Sequence, residues 1–512
     1  MDRGTISLAN WNDVAYIWPL VILGLVACVI IVQDLFEEKQ TWAAPFLALF
    51  GLAVAGLLLV IRTPHETKEL FQGMAVADPF SWFFEAFFLV VAMLVVVLST
   101  QSRDIKENKG EYYALIIVLT MGMIMLASAN DLLMVYLALE TVSIASYILT
   151  GWMAHSKRSS EASLKYVLYG AVASGLMLYG LSLLYGMTGS TDFHQVADKL
   201  ATSRAPLAAG IASMLVFSGF AYKIASVPFH MWAPDVYTGA PTPVTAFLTV
   251  GPKAAGMAAL IRFFYVVLSV PGVPNSDGMT WVASAGAPVW PILVGILAMA
   301  TMTVGNLAAM GQNNVKRLLG YSSIAHAGYM LMGLVVLTQE GLRSILFYLV
   351  VYCAMNLGAF VVVSAVANET GTEEMEGFRG LGTRNPFSGI CMTLFLFSLV
   401  GMPPLAGFAG KLHLFYGVVH KGMMVGGTFN FYYLIAIVGV LNSVISLFYY
   451  ARIVKAMYLE TVPEALANSP LFVKPTYYLL YAFLGFFTIY LGLSWGSWIS
   501  FAGSSVSLMG SL

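Results

Sequence analysis

Fourteen separate stretches of this chain are long and apolar enough to cross a bilayer. That constraint settles the fold class before any motif is read. Crossing about 30 Å of hydrocarbon takes about 20 apolar residues in a helix. Lipid offers no partner to a free backbone N–H or C=O, so the segment must satisfy its own. Candidate spans run over 14–35, 42–62, 79–100, 112–129, 131–153, 161–187, 207–229, 243–270, 288–310, 316–338, 341–367, 385–418, 429–458 and 473–502. Of 512 residues, 59% are hydrophobic and 10% charged, against about 25% charged in a soluble protein. The expected fold is an all-α polytopic membrane protein with about 14 transmembrane helices. The first apolar run has no basic stretch before it and no small-residue cleavage site after it, so it reads as a retained helix.

Several functions are excluded early. The net charge is −1 and the only basic clusters are pairs such as Lys157-Arg158 and Lys316-Arg317, which leaves no footprint for nucleic acid. Cys28, Cys353 and Cys391 lie in apolar segments with no CxxC or Cys/His cluster. Haem c, an iron–sulfur cluster and structural zinc are therefore not expected in this chain. No GxGxxG or Walker loop supports nucleotide binding.

Lys and Arg are unevenly shared between the loops. The odd-numbered loops hold thirteen, Lys39 among them; the termini and even-numbered loops hold seven, including Arg3 and Arg204. By the positive-inside rule, both termini should face away from the cytoplasm.

Two spans cannot be plain helices. In 218–247, SGFAYKIASVPFHMWAPDVYTGAPTPVTAF, Lys223 is followed by Pro228, His230, Pro234, Asp235, Pro241 and Pro243. Proline removes a helix hydrogen bond and clashes with the preceding turn. The twelfth span carries Gly401, Pro403, Pro404 and Gly407. Helices 7 and 12 are thus expected to be broken, which lipid tolerates only inside protein or beside water. The second break lies five spans after the first. Spans 4–8 (111–270) and 9–13 (288–460) then read as two five-helix repeats, inverted because five is odd. Helices 1–3 (1–110) precede them and helix 14 (461–512) follows. Paired interruptions of this kind point to a transport site.

Charges within spans mark candidate functional residues. Glu140 lies about 13 Å along its helix from Asp131, and His326 about 15 Å from Lys316, both near mid-membrane. Lys223 precedes the first break, Lys253 lies in span 8 and Lys411 follows the second break. Glu140 and Lys223 can pair if spans 5 and 7 touch. Histidine can accept and donate a proton near neutral pH, or simply bond a hydroxyl such as Ser322, Ser323 or Tyr329. Together Glu140, Lys223, Lys253, His326 and Lys411 suggest one line parallel to the membrane plane. Lys165, His230 and Asp235 are further candidates, though Lys165 can snorkel and Asp235 can merely hold a turn. Arg262 suits an interfacial anchor as well as conduction. Glu85 and Glu460 stand with these, and His413, two residues past Lys411, falls on a different helix face.

At these residues the chain resembles a known family. KIASVPFHMWAPDVYTGAPTPV, NVKRLLGYSSIAHAGYML, LETVSIASYILTG and EASLKYVLYGA look like the antiporter-like membrane subunits of respiratory complex I, over roughly 110–460. Mrp-type sodium/proton antiporters share the broken helices. The lysine in GFAGK, Lys411, is similar to the subunit N branch. ETVSIASYILTGW with SEASLKYVLYG also looks like subunit 2 of the cyanobacterial and plastid relative. The resemblance implies a proton-pumping module of an NADH- or ferredoxin-quinone oxidoreductase, with Glu140, Lys223, Lys253, His326 and Lys411 as its axis. It implies no cofactor in this chain, with FMN, iron–sulfur clusters and quinone in partner subunits. The implied partners are M- and K-like membrane siblings and lipid, and the implied location is a bacterial inner membrane rather than a thylakoid. A cation/proton antiporter, or a structural subunit whose charges only aid packing, are the rival readings.

Overall fold

The computed structural model describes residues 11–36, 42–64, 66–202, 205–272, 274, 278–462 and 472–506. Arg3, Lys39 and Arg204, and with them the sidedness expected of the termini, lie outside the described residues. Six long helices come first, after short helical turns at Trp11–Val14 and Ala15–Ile17: α1 (Trp18–Phe36), α2 (Ala43–Ile61), α3 (Pro79–Ser99), α4 (Lys109–Ser128), α5 (Leu132–Thr150) and α6 (Lys157–Thr188), with the short helix Phe193–Ala201 after them. The broken seventh span follows as α7 (Pro206–Ile224) and α8 (Ala233–Gly239), then α9 (Thr242–Arg262). The second half holds α10 (Trp290–Met310), α11 (Val315–Leu334) and α12 (Gln339–Thr370). The broken twelfth span is α13 (Pro386–Val400) plus α14 (Ala406–Val425), before α15 (Phe431–Leu459), α16 (Pro475–Leu493) and α17 (Trp495–Val506).

Twelve of these helices are each long and apolar enough to span a membrane. Charged α11 and the pair α13–α14 bring the crossings to fourteen. The chain is an integral membrane protein. Phe46, Leu57, Leu137, Val172, Val444 and Phe486 point outward, each at least half exposed, as lipid-facing side chains do. At the centre, every residue of α9 is buried.

The halves repeat in their backbone joints more than in their residues. The Leu132 N–H donates to the Thr191 carbonyl at 2.8 Å, and Phe193 N–H to Asn130 at 3.2 Å. In the second half Val315 donates to Glu373 at 2.9 Å and Met375 to Asn313 at 2.8 Å. Asp131 and Asn314 both cap the helix they precede, a polar acceptor serving the orphan first-turn N–H groups. α6 and α12 are both 32 residues long, capped by Ser156 and Thr338 and closed by left-handed Gly189 and Gly371. Five crossings separate the copies, so they run in opposite senses.

The two breaks match as well. α7 ends in left-handed Ala225 and α13 in left-handed Gly401, with φ of 58° and 96°. Ser226 N–H then reaches back to Ala221 at 2.7 Å, and Met402 N–H to Phe397 at 3.0 Å. That is a Schellman closure, which satisfies carbonyls a helix end would otherwise leave open. Each break passes a cis X–Pro bond, Val227–Pro228 and Pro403–Pro404. α14 restarts against the first piece: a Cβ on Gly407 would overlap the Ser398 carbonyl.

Some expected boundaries move. Span 7, expected as far as 229, ends at Ile224. Span 12 reaches Val425 rather than 418, in two pieces. Span 14 divides into α16 and α17 at Ser494. Span 8, expected to 270, closes at Val267 in a π turn, and the chain passes at Leu268 into a short extended segment that starts at Ser269. The all-α expectation also misses two short antiparallel hairpins. β1 (Lys68–Leu70) pairs with β2 (Ala75–Ala77), and β3 (Ser269–Pro271) with β4 (Trp281–Ala283).

Candidate functional site

Three lysines and a histidine lie inside the helix bundle. Lys223, Lys253, His326 and Lys411 are between 1% and 4% exposed. A buried ammonium needs partners for its three protons. Among the described residues none of these lysines has a carboxylate partner within ion-pair distance. Each is held by neutral oxygen instead. Lys223, in the last turn of α7, donates to Ser143 Oγ on α5 at 3.3 Å. Lys253, on α9, donates to the Ser323 carbonyl at 2.9 Å and Oγ at 2.8 Å. Lys411, on α14, donates to the Leu399 and Val400 carbonyls at 3.0 and 2.9 Å. Those are end carbonyls of α13, where the helix dipole favours a cation.

One-turn steps join these groups. Residues three apart share a helix face. The Lys223 stem packs on Gly256, where a Cβ would stand 3.2 Å from its Cβ and Cγ, and Gly256 is three residues from Lys253. Lys253 binds Ser323, three residues before His326. His326 Nδ1 is hydrogen-bonded to the Tyr348 hydroxyl of α12 at 2.6 Å, and Nε2 to Tyr450 of α15 at 3.4 Å. Tyr348 packs on Gly410, beside Lys411. Tyr329, three residues past His326, lies under the Lys411 ammonium at 4.7 Å. The row thus passes from α5 through α7, α9, α11 and α12 to α14. Amines, hydroxyls and imidazole can each give up and accept a proton, given water between them.

Glu140 stands apart. It is only half-buried, on the flank of α5, and accepts a hydrogen bond from Ser174 of α6. No ion pair joins it to Lys223 among the described residues. Its link to the row is Ser143, one turn along α5.

The remaining candidates lie elsewhere. Asp235, on α8, receives Lys165 Nζ and Arg317 Nη1, both at 2.7 Å, and Lys165 also pairs with Glu161 at 2.7 Å. Lys165, Asp235 and Arg317 are each about a third exposed. Their cluster ties α8 to α6 and α11, and such pairs contribute little stability individually. His230 is part-exposed in the turn between α7 and α8. Arg262, the last residue of α9, is buried. It is 2% exposed and grips Asp78 with two bonds, 2.9 and 3.0 Å.

Sequence reasoning missed several partners. Ser143, Tyr348 and Tyr450 carry no signal apart from being hydroxyls in apolar runs, and Ser323, named only as a hydroxyl near His326, is the partner of Lys253. Lys316 counted as a loop charge; it is in fact buried in the first turn of α11. It donates to Ala240 at 2.6 Å and to Glu373 at 2.8 Å. Glu340 is 2% exposed and pairs with Arg343 one turn on. That i,i+3 spacing in QEGLRS was the available clue.

Known proteins resemble this chain along nearly its whole length. Residues 129–438 match the family described as NADH:quinone oxidoreductase/Mrp antiporter, TM. A protein from Anaeromyxobacter sp. (strain Fw109-5) named NADH-quinone oxidoreductase subunit N is 43% identical, covering 98% of each chain. Among solved structures, a chain of respiratory complex I from Thermus thermophilus is 31% identical, with a TM-score of 0.77 over 95% of this chain and 99% of that one. A chain of the Mrp complex from Dietzia sp. DQ12-45-1b shares the fold, with a TM-score of 0.81 and 98% coverage of each, at 19% identity.

Proposed function

This chain belongs to the NADH:quinone oxidoreductase/Mrp antiporter family of membrane subunits, alongside its subunit N members, and on that premise we propose that it translocates protons. In this reading it is one membrane subunit of a quinone-reducing complex in a bacterial inner membrane, with both termini facing away from the cytoplasm. The flavin, iron–sulfur clusters and quinone belong to partner subunits, and neighbouring membrane subunits of the same family flank the chain. Redox work in the partners reaches this subunit as an electrostatic change at Glu140.

The carrying observation is the row of buried lysines held only by neutral oxygen. No fixed carboxylate locks their charge, so a nearby charge can change their protonation. At an effective dielectric of about 20, unit charges 4 Å apart interact by about 4 kcal/mol. That is nearly a thousandfold in a protonation equilibrium. A proton taken by Lys223 passes to Lys253, then through Ser323, His326 and Tyr348 to Lys411. The two broken helices supply the places where water can reach the row.

Glu140→Gln tests the coupling step. It keeps the size of the side chain and a hydrogen-bond acceptor for Ser174. Fewer protons should be pumped per electron in the assembled complex, with the quantity of complex unchanged. A normal proton-to-electron ratio in that variant rejects the coupling role.

A further inference from the structure

Two cavities lie along the same three helices, α3, α12 and α16, the second also walled by Trp498 and Phe501 of α17, and their chemistry differs sharply. The first, about 380 Å³, opens where α3 and α12 end and α16 begins. It is lined by Arg103, Lys106, Lys109 and Lys474, with Glu369 the one acid in its wall. Arg103 lies 3.9 Å from Asp104. Among the described residues no carboxylate reaches ion-pair distance of Lys106, Lys109 or Lys474. The floor is built: Asn368 donates to the Gln101 carbonyl at 3.0 Å and to Tyr477 OH at 2.7 Å, and accepts from the Arg103 N–H at 3.2 Å.

The second cavity, also about 380 Å³, lies further along the same helices and is lined almost wholly by carbon. Phe87, Val90, Ala354, Phe483 and Phe487 are in its wall. Val90 and Phe483 are over 40% exposed, so it opens on the outside of the bundle. At 1.5 Å per residue, Asn368 and Ala354 of α12 are about 21 Å apart, and Thr100 and Phe87 of α3 about 20 Å. The depth of one leaflet is about 15 Å, half the hydrocarbon thickness.

We propose that this groove binds an anionic glycerophospholipid, its phosphate among the four cations and one acyl chain in the apolar chamber. A free phosphate would satisfy the first cavity and leave the second empty. An apolar helix of a neighbouring subunit would fill the second and leave the cations unpaired. Only a molecule with an anionic head and a long apolar tail meets both, at the separation the helices set. Basic pockets between membrane helices are a known mode of anionic headgroup capture.

The test uses the whole complex in its native membrane and two photoactivatable probes. One is a phosphatidylglycerol with a diazirine on its acyl chain, the other the matching phosphatidylcholine. The anionic probe should label peptides spanning 82–94 and 483–491 far more than the zwitterionic one. Lys106→Gln, Lys109→Gln and Lys474→Gln should each lower its labelling about fivefold; Lys106 and Lys474 are exposed and Lys109 half-buried, and none of the three holds an ion pair among the described residues. Ala354→Trp, which fills the chamber and keeps the cations, should lower it too. Equal labelling by both probes, or labelling indifferent to the lysines, overturns the proposal. So does cross-linking of these segments to a neighbouring subunit in place of lipid.

Discussion

Replacing Lys253 by methionine is expected to abolish proton pumping while the subunit still assembles. Methionine has nearly the length of lysine and fills irregular apolar gaps. The wild-type ammonium is 1% exposed and bonded to Ser323 alone, so removing it leaves no opposite charge stranded. Burying a charge without a counter-charge is costly, and the variant should fold at least as well as the parent. Its loss is functional, because among the described residues Lys253 is the only amine between Lys223 on α7 and His326 on α11. Proton flux per electron in proteoliposomes should fall at least tenfold, with unchanged amounts of complex on native gels. Normal pumping by an assembled Lys253→Met complex would remove the row from the account.

The opposite profile is expected of Arg262→Met. Asp78 is 3% exposed on its side chain and takes both guanidinium bonds. It also caps α3 through the Ser81 N–H at 2.7 Å, and Arg262 donates a further bond to the Ala127 carbonyl at 3.2 Å. Deleting the cation strands a buried carboxylate, which costs about 3–5 kcal/mol. Most of the subunit should fail to accumulate in the membrane, and what does assemble should pump normally per complex. Adding Asp78→Asn removes the stranded charge and keeps a cap acceptor, so the double variant should recover much of the lost yield. Equal yields of the single and double variants would show that the pair is not what joins α3 to α9.

These two arginine and lysine positions look alike in sequence, nine residues apart in one apolar span. Partners distant in sequence separate them. Asp78, 184 residues before Arg262, makes that residue structural; Ser323, 70 residues after Lys253, leaves that one with a neutral partner. Charges inside apolar runs were therefore legible as positions and not as roles. The broken helices were legible because proline and glycine act locally, at Pro228, Gly401, Pro403 and Pro404. The repeat was only half legible. It is recorded in cap positions, in paired lengths of 32 residues and in joints such as Leu132–Thr191 and Val315–Glu373, where the residues themselves differ. Lys316 was misplaced because its burial depends on Glu373, 57 residues downstream. The groove on α3, α12 and α16 had no sequence signal, since its lysines belong to two segments, 106–109 and 474, that meet only in the fold.

The most direct test of proton translocation driven by partner redox chemistry is proton flux into proteoliposomes holding the intact complex. It is measured once during quinone reduction and once under a sodium gradient with no electron donor. The account predicts acidification that starts with electron flow, stops with an inhibitor of quinone reduction, and is absent under the sodium gradient alone. Flux driven by sodium without any donor would contradict it and make the chain a cation/proton antiporter subunit.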